Sequence, residues 1–95
     1  NRDLALLVDA ATPAEEVRQA VEQAAAQAAG KAFRVEEVAI FDVFTGSGLP
    51  DAKKSIACAL RFRSPDRTLE DKEVNAAFEK TQQALAQNTP YELRS

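Results

Sequence analysis

The nine residues from Ser55 to Arg63, SIACALRFR, decide the fold, because they alternate between two kinds of side chain. One set is apolar: Ile56, Cys58, Leu60 and Phe62. The other set is small or cationic: Ser55, Ala57, Ala59, Arg61 and Arg63. Successive side chains of a strand point to opposite faces, so this period of two predicts a strand with one buried face. The opposite face would remain open.

A second strand is predicted immediately before this one, over Val35–Phe44. The segment is rich in β-branched and aromatic residues, which favours a strand. Val38, Ile40 and Val43 can all face the core only if the strand contains a bulge near Ile40–Phe41. Such a bulge could also bring Phe41 into the core.

Helical patterns lie on both sides of this pair of strands. We expect Thr12 to be the first N-cap, with the following proline at the first helical position, Glu15 completing a capping box and Gly30 ending the helix. Thr68 and Asp71 would have the same two roles in the second helix. Apolar or small residues recur at helical spacing in both helices: Val17, Val21, Ala24 and Ala28, then Val74, Phe78, Thr81 and Leu85.

Short strands are predicted at both ends of the chain, over 3–8 and 90–94, and Pro90 suits a sheet edge. Loops are predicted over 45–51 and 64–67. The order β-α-β-β-α-β predicts an α+β, ferredoxin-like fold, with a four-stranded antiparallel sheet and both helices on one face. The first and third strands would be central. Residues 1–95 would form a single domain.

Composition restricts the functions that this chain can have. It contains no His and one Cys, which excludes His-based catalysis, His-metal sites and an internal disulfide. The lack of Cys pairs favours a cytoplasmic protein, and no apolar run is long enough to span a membrane. The absence of Met predicts a piece of a longer chain. The net charge is -3, yet residues 45–69 contain five Lys or Arg and two Asp. This stretch of net charge +3 is the only basic one.

Three motifs resemble the ferredoxin-fold anticodon-binding domain, which in bacteria ends the β chain of phenylalanyl-tRNA synthetases. They are RDLALLV at 2–8, then FDVFTGSGLP at 41–50 with KKSIA at 53–57, then DRTL at 66–69 with VNA at 74–76. The resemblance implies the βαββαβ fold predicted above. It also implies a non-catalytic domain that binds the anticodon stem-loop of phenylalanine tRNA and positions that tRNA for aminoacylation elsewhere in the enzyme.

Partners and cofactors follow from the same resemblance. The partners would be phenylalanine tRNA, the remainder of the synthetase β chain and the α chain, with neither DNA nor a membrane. No cofactor is expected in this domain, whereas the parent enzyme, an aminoacyl-tRNA ligase, would use ATP and Mg²⁺.

The resemblance also assigns candidate residues. Asp42 and Phe44 match a family aspartate and an aromatic residue that contact the first anticodon base, and Ser55 matches a further base contact. A carboxylate can accept hydrogen bonds from guanine, and a ring can stack on a base. Phe44 replaces the usual Tyr, which preserves stacking but removes a phenolic hydrogen bond, and Thr45 replaces a residue that is frequently basic.

Cations in or near the basic stretch are the candidates for phosphate contacts. These tRNA-binding candidates are Arg2, Lys53, Lys54, Arg61 and Arg63, with Arg67 nearby. Without the resemblance, the same cations would be interpreted as a solvated face, Asp42 as an edge-strand acid and Phe44 as half-buried. Two other functions remain open for this fold: a regulatory domain for small-molecule binding or dimerisation, and a small acylphosphatase-type enzyme. The enzyme lacks an Arg and an Asn arranged as a phosphate cradle.

Overall fold

The elements follow the predicted βαββαβ order in the computed structural model, which describes residues 2–30, 34–45, 52–64 and 68–94. They are β1 (Arg2–Asp9), α1 (Ala14–Ala29), β2 (Arg34–Phe44), β3 (Lys53–Arg63), α2 (Asp71–Asn88) and β4 (Glu92–Arg94). The predicted loops at 45–51 and 64–67, including Arg67, lie largely outside the described residues. None of the helices in the described ranges combines the length and apolar character needed to cross a membrane.

The four strands form one sheet in the order β2-β3-β1-β4, with every neighbouring pair antiparallel. The first and third strands are therefore central, as predicted. β2 and β4 are the edge strands, and Pro90 precedes the short β4. This sheet confirms the ferredoxin-like α+β fold.

The core lies between the sheet and the two helices, on one face of the sheet. Alternate residues of β1 and β3 meet buried residues of both helices in a single cluster, whose main members are Leu4, Leu6, Val8, Val17, Val21, Ile56, Cys58, Leu60 and Leu85. Both helices thus cover the same face. The alternation in the third strand is confirmed, because Ile56, Cys58 and Leu60 have no exposed surface.

Burial in α2 differs in part from the prediction. Thr81 and Leu85 are buried together with Ala77, whereas Val74 and Phe78 are only partly buried. The Thr81 hydroxyl donates to the Ala77 carbonyl oxygen at 2.8 Å, so its burial leaves no unpaired polar group. The helix contacts the core along this stripe, and Phe78 packs against the cluster from a partly buried position.

The predicted cap of α1 is wrong by one residue. Pro13, not Thr12, occupies the N-cap position, because its carbonyl oxygen accepts hydrogen bonds from the backbone N–H groups of Glu16 and Val17. Glu15 closes no capping box and instead accepts a hydrogen bond from Arg18 Nε at 2.8 Å. The other end follows the prediction, since Gly30 ends the helix with a φ of 64°.

The predicted cap of α2 is also wrong. The helix begins at Asp71, and Glu70 is its N-cap in a capping box with Glu73. The Glu70 backbone N–H donates to Glu73 Oε2 at 3.1 Å. A carboxylate accepts these backbone hydrogen bonds as a Thr hydroxyl does, so Thr68 is not needed as a cap.

β2 contains two irregularities against β3, between Val35 and Glu37 and between Ile40 and Asp42. The second confirms the predicted bulge. Phe41 is the extra residue there, and its side chain is 59% exposed, so the bulge does not bring it into the core. A bulge leaves the extra residue outside the ladder, and on an edge strand no further strand covers it.

Candidate nucleic-acid interface

The face of the sheet opposite the helices, called here the open face, is built from cross-strand rows. Directly paired residues of antiparallel strands point to the same side. The first row consists of Phe44, Ser55, Leu7 and Glu92. The second row consists of Asp42, Ala57 and Ala5, and continues at the register position of Arg94 in β4. Because the intervening Ile56 lies in the core, both rows face away from the helices, and Asp42 and Phe44 lie on one face.

Small side chains form the floor of the open face. Ser55, Ala57 and Ala59 alternate along β3, and Ala5 and Ala39 flank them in β1 and β2. None of these side chains extends far from the backbone plane, so a planar ring or a sugar–phosphate chain can approach the sheet closely. Phe44 stands at one margin of this floor and is 47% exposed.

The acid beside Phe44 has free acceptor capacity. Asp42 is exposed and, within the part of the chain that the structure describes, has no hydrogen bond or ion pair. An ionised carboxylate offers two oxygens as acceptors. Next to an exposed ring, these oxygens can pair with a donor edge of a base whose face stacks on the ring.

Leu7 and Ser55 separate the Phe44 margin from β4. Both are nearly buried although they lie on the open face, with 9% and 6% of their surface exposed. Sequence reasoning did not name Leu7 as a site residue. The signal was available: Leu6 and Leu7 are adjacent in a strand, so one of them must face away from the core.

The other odd-numbered residues of β3 bring cations to the same face, each beside an acid of a neighbouring strand. Lys53 Nζ lies 2.6 Å from Asp9 Oδ1. Arg61 Nη2 lies 3.7 Å from Glu37 Oε1, and Arg63 Nε lies 3.0 Å from Glu36 Oε2. The hydrogen bond with Asp9 raises the pKa of Lys53 above its usual value. The positive charge of the basic stretch is thus offset locally.

Two of the candidate cations lie elsewhere. Arg2 pairs in register with Leu60, and its side chain contacts α2: Nε donates to Asn75 Oδ1 at 2.9 Å, and Nη2 lies 3.9 Å from Asp71 Oδ1. Lys54 pairs in register with Val8, a core residue, so it lies on the helix side of the sheet.

The structure therefore brings only part of the predicted set together. Asp42, Phe44, Ser55 and Lys53 lie at one end of the open face. Arg61 and Arg63 lie on the same face, six and eight residues beyond Ser55 in β3. In a strand these separations correspond to roughly 20 and 27 Å. A surface of this length can contact a base at one end and phosphates at the other.

The residues that the structure describes contain neither a cluster of metal ligands nor a reactive thiol. Nowhere in ranges 2–30, 34–45, 52–64 and 68–94 do three His, Cys, Asp or Glu side chains group as a metal site requires. Burial raises the pKa of the Cys58 thiol to about 11, so this side chain is protonated at neutral pH and is a poor nucleophile. The open face offers binding groups.

The chain is similar to a known protein family over almost all of its length. The family model of the ferredoxin-fold anticodon binding domain matches residues 1–94. Similar proteins include the "Phenylalanine--tRNA ligase beta subunit" of Geobacillus kaustophilus, which is 45% identical over 84 residues, or 88% of this chain and 10% of the relative. The proteins of the same name from Moorella thermoacetica and Syntrophotalea carbinolica are 43% and 40% identical, each over 98% of this chain and 11% of the relative. The chain thus spans about a tenth of the length of these relatives.

Proposed function

Because the chain belongs to the ferredoxin-fold anticodon binding domain family, we propose that it binds the anticodon stem-loop of phenylalanine tRNA on its open face. It would be a non-catalytic part of a phenylalanine–tRNA ligase β subunit and would position the tRNA for aminoacylation elsewhere in the enzyme. The observation that supports this most is the exposed Phe44 ring and the unpaired Asp42 carboxylate at the margin of a floor of small side chains.

The base-reading part of the proposal uses three residues. The Phe44 ring stacks on the first anticodon base. Asp42 accepts hydrogen bonds from the N–H donors on the Watson–Crick edge of a guanine. The Ser55 hydroxyl, in register with Phe44, adds a donor or acceptor at the floor.

The phosphate-binding part uses the cations of the open face. Lys53 lies next to the base-reading residues, and Arg61 and Arg63 lie at the far end of β3. An RNA with its first anticodon base on Phe44 would place its backbone along the small-residue floor toward the two arginines. Arg2 and Lys54, on the helix side, would contact phosphates only where the RNA passes around an end of the sheet.

The remaining components belong to the parent enzyme. The remainder of the β chain and the α chain would be the protein partners, and ATP and Mg²⁺ would act at the distant aminoacylation site. A cytoplasmic location fits this role. Neither DNA nor a membrane has a part in it.

The test compares two RNA stem-loops that differ only in the first anticodon base, guanine or adenine. Asp42→Asn replaces one acceptor oxygen by a donor, so binding of the guanine RNA should weaken more than binding of the adenine RNA. Phe44→Ala removes the stacking ring and should weaken both RNAs by about 1–3 kcal/mol, because every base has a face to stack.

Matched control variants separate recognition from general damage. Glu79→Gln changes an exposed acid of α2, away from the open face, and Phe41→Ala removes another exposed ring of β2. Both should bind the two RNAs as the parent chain does. The proposal is wrong if Asp42→Asn weakens both RNAs equally or neither, while its melting temperature matches that of the parent.

A further inference from the structure

Each of the three β3 cations described on the open face lies beside a carboxylate of an adjacent strand. The pairs are Lys53 with Asp9, Arg61 with Glu37, and Arg63 with Glu36, at 2.6, 3.7 and 3.0 Å. We propose, on the basis of the proposed function, that Asp9, Glu36 and Glu37 suppress RNA binding that does not engage Asp42 and Phe44. Because of these three acids, the affinity for RNA would depend more on base identity than on charge.

The strand register determines which acid lies beside which cation. Asp9 and Glu37 are the direct cross-strand partners of Lys53 and Arg61. Glu36 is the extra residue at the irregularity between Val35 and Glu37. In a regular strand, Glu36 and Glu37 would point to opposite faces. The irregularity instead brings both acids to successive arginines of β3.

Glu36 also affects a second arginine, Arg34, which lies opposite Arg63. Arg34 and Arg63 are direct cross-strand partners, and two like charges in that relation repel each other. The Glu36 carboxylate at Arg63 offsets this repulsion. It also lowers the positive potential that the two arginines would otherwise present to RNA.

Electrostatics explains why these acids would discriminate. Binding of RNA without sequence preference depends mainly on cations that neutralise phosphates, because stacking on Phe44 is open to every base and does not distinguish one RNA from another. A phosphate that reaches a paired cation must displace a carboxylate. Each such contact therefore contributes less to the binding free energy than a contact with an unpaired cation would. Exposed ion pairs are weak, so a complex that also stacks on Phe44 and pairs with Asp42 can still displace them. A flexible RNA held by charge makes more of these contacts than an RNA fixed at Phe44, so its affinity falls by the larger factor.

The test uses the double variant Glu36→Gln/Glu37→Gln and a mixed-sequence single-stranded RNA. Neutralising two weak pairs should raise the affinity of this RNA about fivefold at roughly 0.1 M salt. The plot of log K against log salt should steepen by about 1.4, or 0.7 for each additional effective phosphate contact. The phenylalanine anticodon stem-loop should gain less, because its short loop, once anchored on Phe44, can bring fewer phosphates to Arg61 and Arg63 than a flexible single strand can.

The control double variant Glu16→Gln/Glu79→Gln makes the same change in net charge on exposed positions of the helices. It should leave the affinity for mixed-sequence RNA within about twofold. In a further variant, Arg61→Gln and Arg63→Gln are added to the first pair of substitutions. The gain should then disappear, even if the first pair alters the melting temperature.

The inference is wrong if Glu36→Gln/Glu37→Gln leaves the affinity and the salt slope unchanged, or if the control variant gives an equal gain. It is also wrong if the phenylalanine stem-loop gains as much as the mixed-sequence RNA. These outcomes are independent of the proposed function, which depends on the Asp42 and Phe44 variants. Failure of the parent chain and of every variant to bind RNA at about 0.02 M salt would overturn both.

Discussion

The two faces of β3 differ although they alternate residue by residue. On the helix side, Ile56, Cys58 and Leu60 are completely buried. On the open side, Ser55, Ala57 and Ala59 are small and form a floor. Stability and the proposed RNA contact therefore use separate sets of residues in one strand, so a substitution on one face should affect one property and spare the other.

The largest effect should come from the helix-covered face. Leu60 has no exposed surface and packs in the central cluster. Leu60→Ala should lower the free energy of unfolding by about 2–5 kcal/mol, because it removes buried methyl groups and leaves a cavity. Denaturant unfolding followed by circular dichroism measures this change. A loss below about 1 kcal/mol would mean that the helix-covered face of β3 does not contribute most of the stability of this strand, which would contradict the comparison.

An intermediate effect should come from the open face. Ala57→Leu adds a large side chain between Asp42 and Ala5, where the RNA would approach. Affinity for the phenylalanine anticodon stem-loop should fall about tenfold or more, or about 1.4 kcal/mol, with little change in melting temperature. Ala76→Leu, at an exposed position of α2, is the matched control and should bind normally. Equal affinities for the two variants would place the RNA elsewhere.

The last effect is seen only at alkaline pH and concerns the helix-covered face. Burial raises the pKa of Cys58 from 9.0 to about 11, so the folded state keeps the thiol proton to higher pH than the unfolded state does. The resulting stability is complete below pH 9 and is lost as pH rises toward about 11. Urea unfolding at a series of pH values should show a larger loss in the parent chain than in Cys58→Ala, in which the raised pKa values of Lys53 and Tyr91 still contribute. Rapid reaction of the folded chain with a thiol reagent at pH 8 would contradict it.

The spacing of apolar residues along the sequence was sufficient to predict most of the fold. The alternation over Ser55–Arg63 and the helical spacing of Val17 and Val21 correspond directly to burial. Both N-caps were predicted wrongly, whereas Gly30 was predicted correctly. In α2 the side chains of Thr68 and Glu70 can both accept backbone N–H groups, so the pattern does not choose between them. The sequence left the side of Phe41 open, because its exposure depends on the position of β2 at the sheet edge.

The candidate site was less predictable, because ion pairs depend on strand register. Adjacency places Lys53 and Lys54 on opposite faces, which the sequence alone could have shown. The contact of Arg2 with α2 and the pairing of Arg63 with Glu36 require tertiary structure. A count of cations along the chain therefore overstates the positive charge that the open face presents.

The most direct test of the central claim is to map the RNA on the sheet by NMR. Backbone amide signals of the ¹⁵N-labelled chain would be followed during titration with the phenylalanine anticodon stem-loop. The account predicts that the largest shifts occur at Asp42, Phe44, Ser55 and Leu7, with smaller shifts toward Arg61 and Arg63. Largest shifts in α1 and α2, with the open face unchanged, would contradict it.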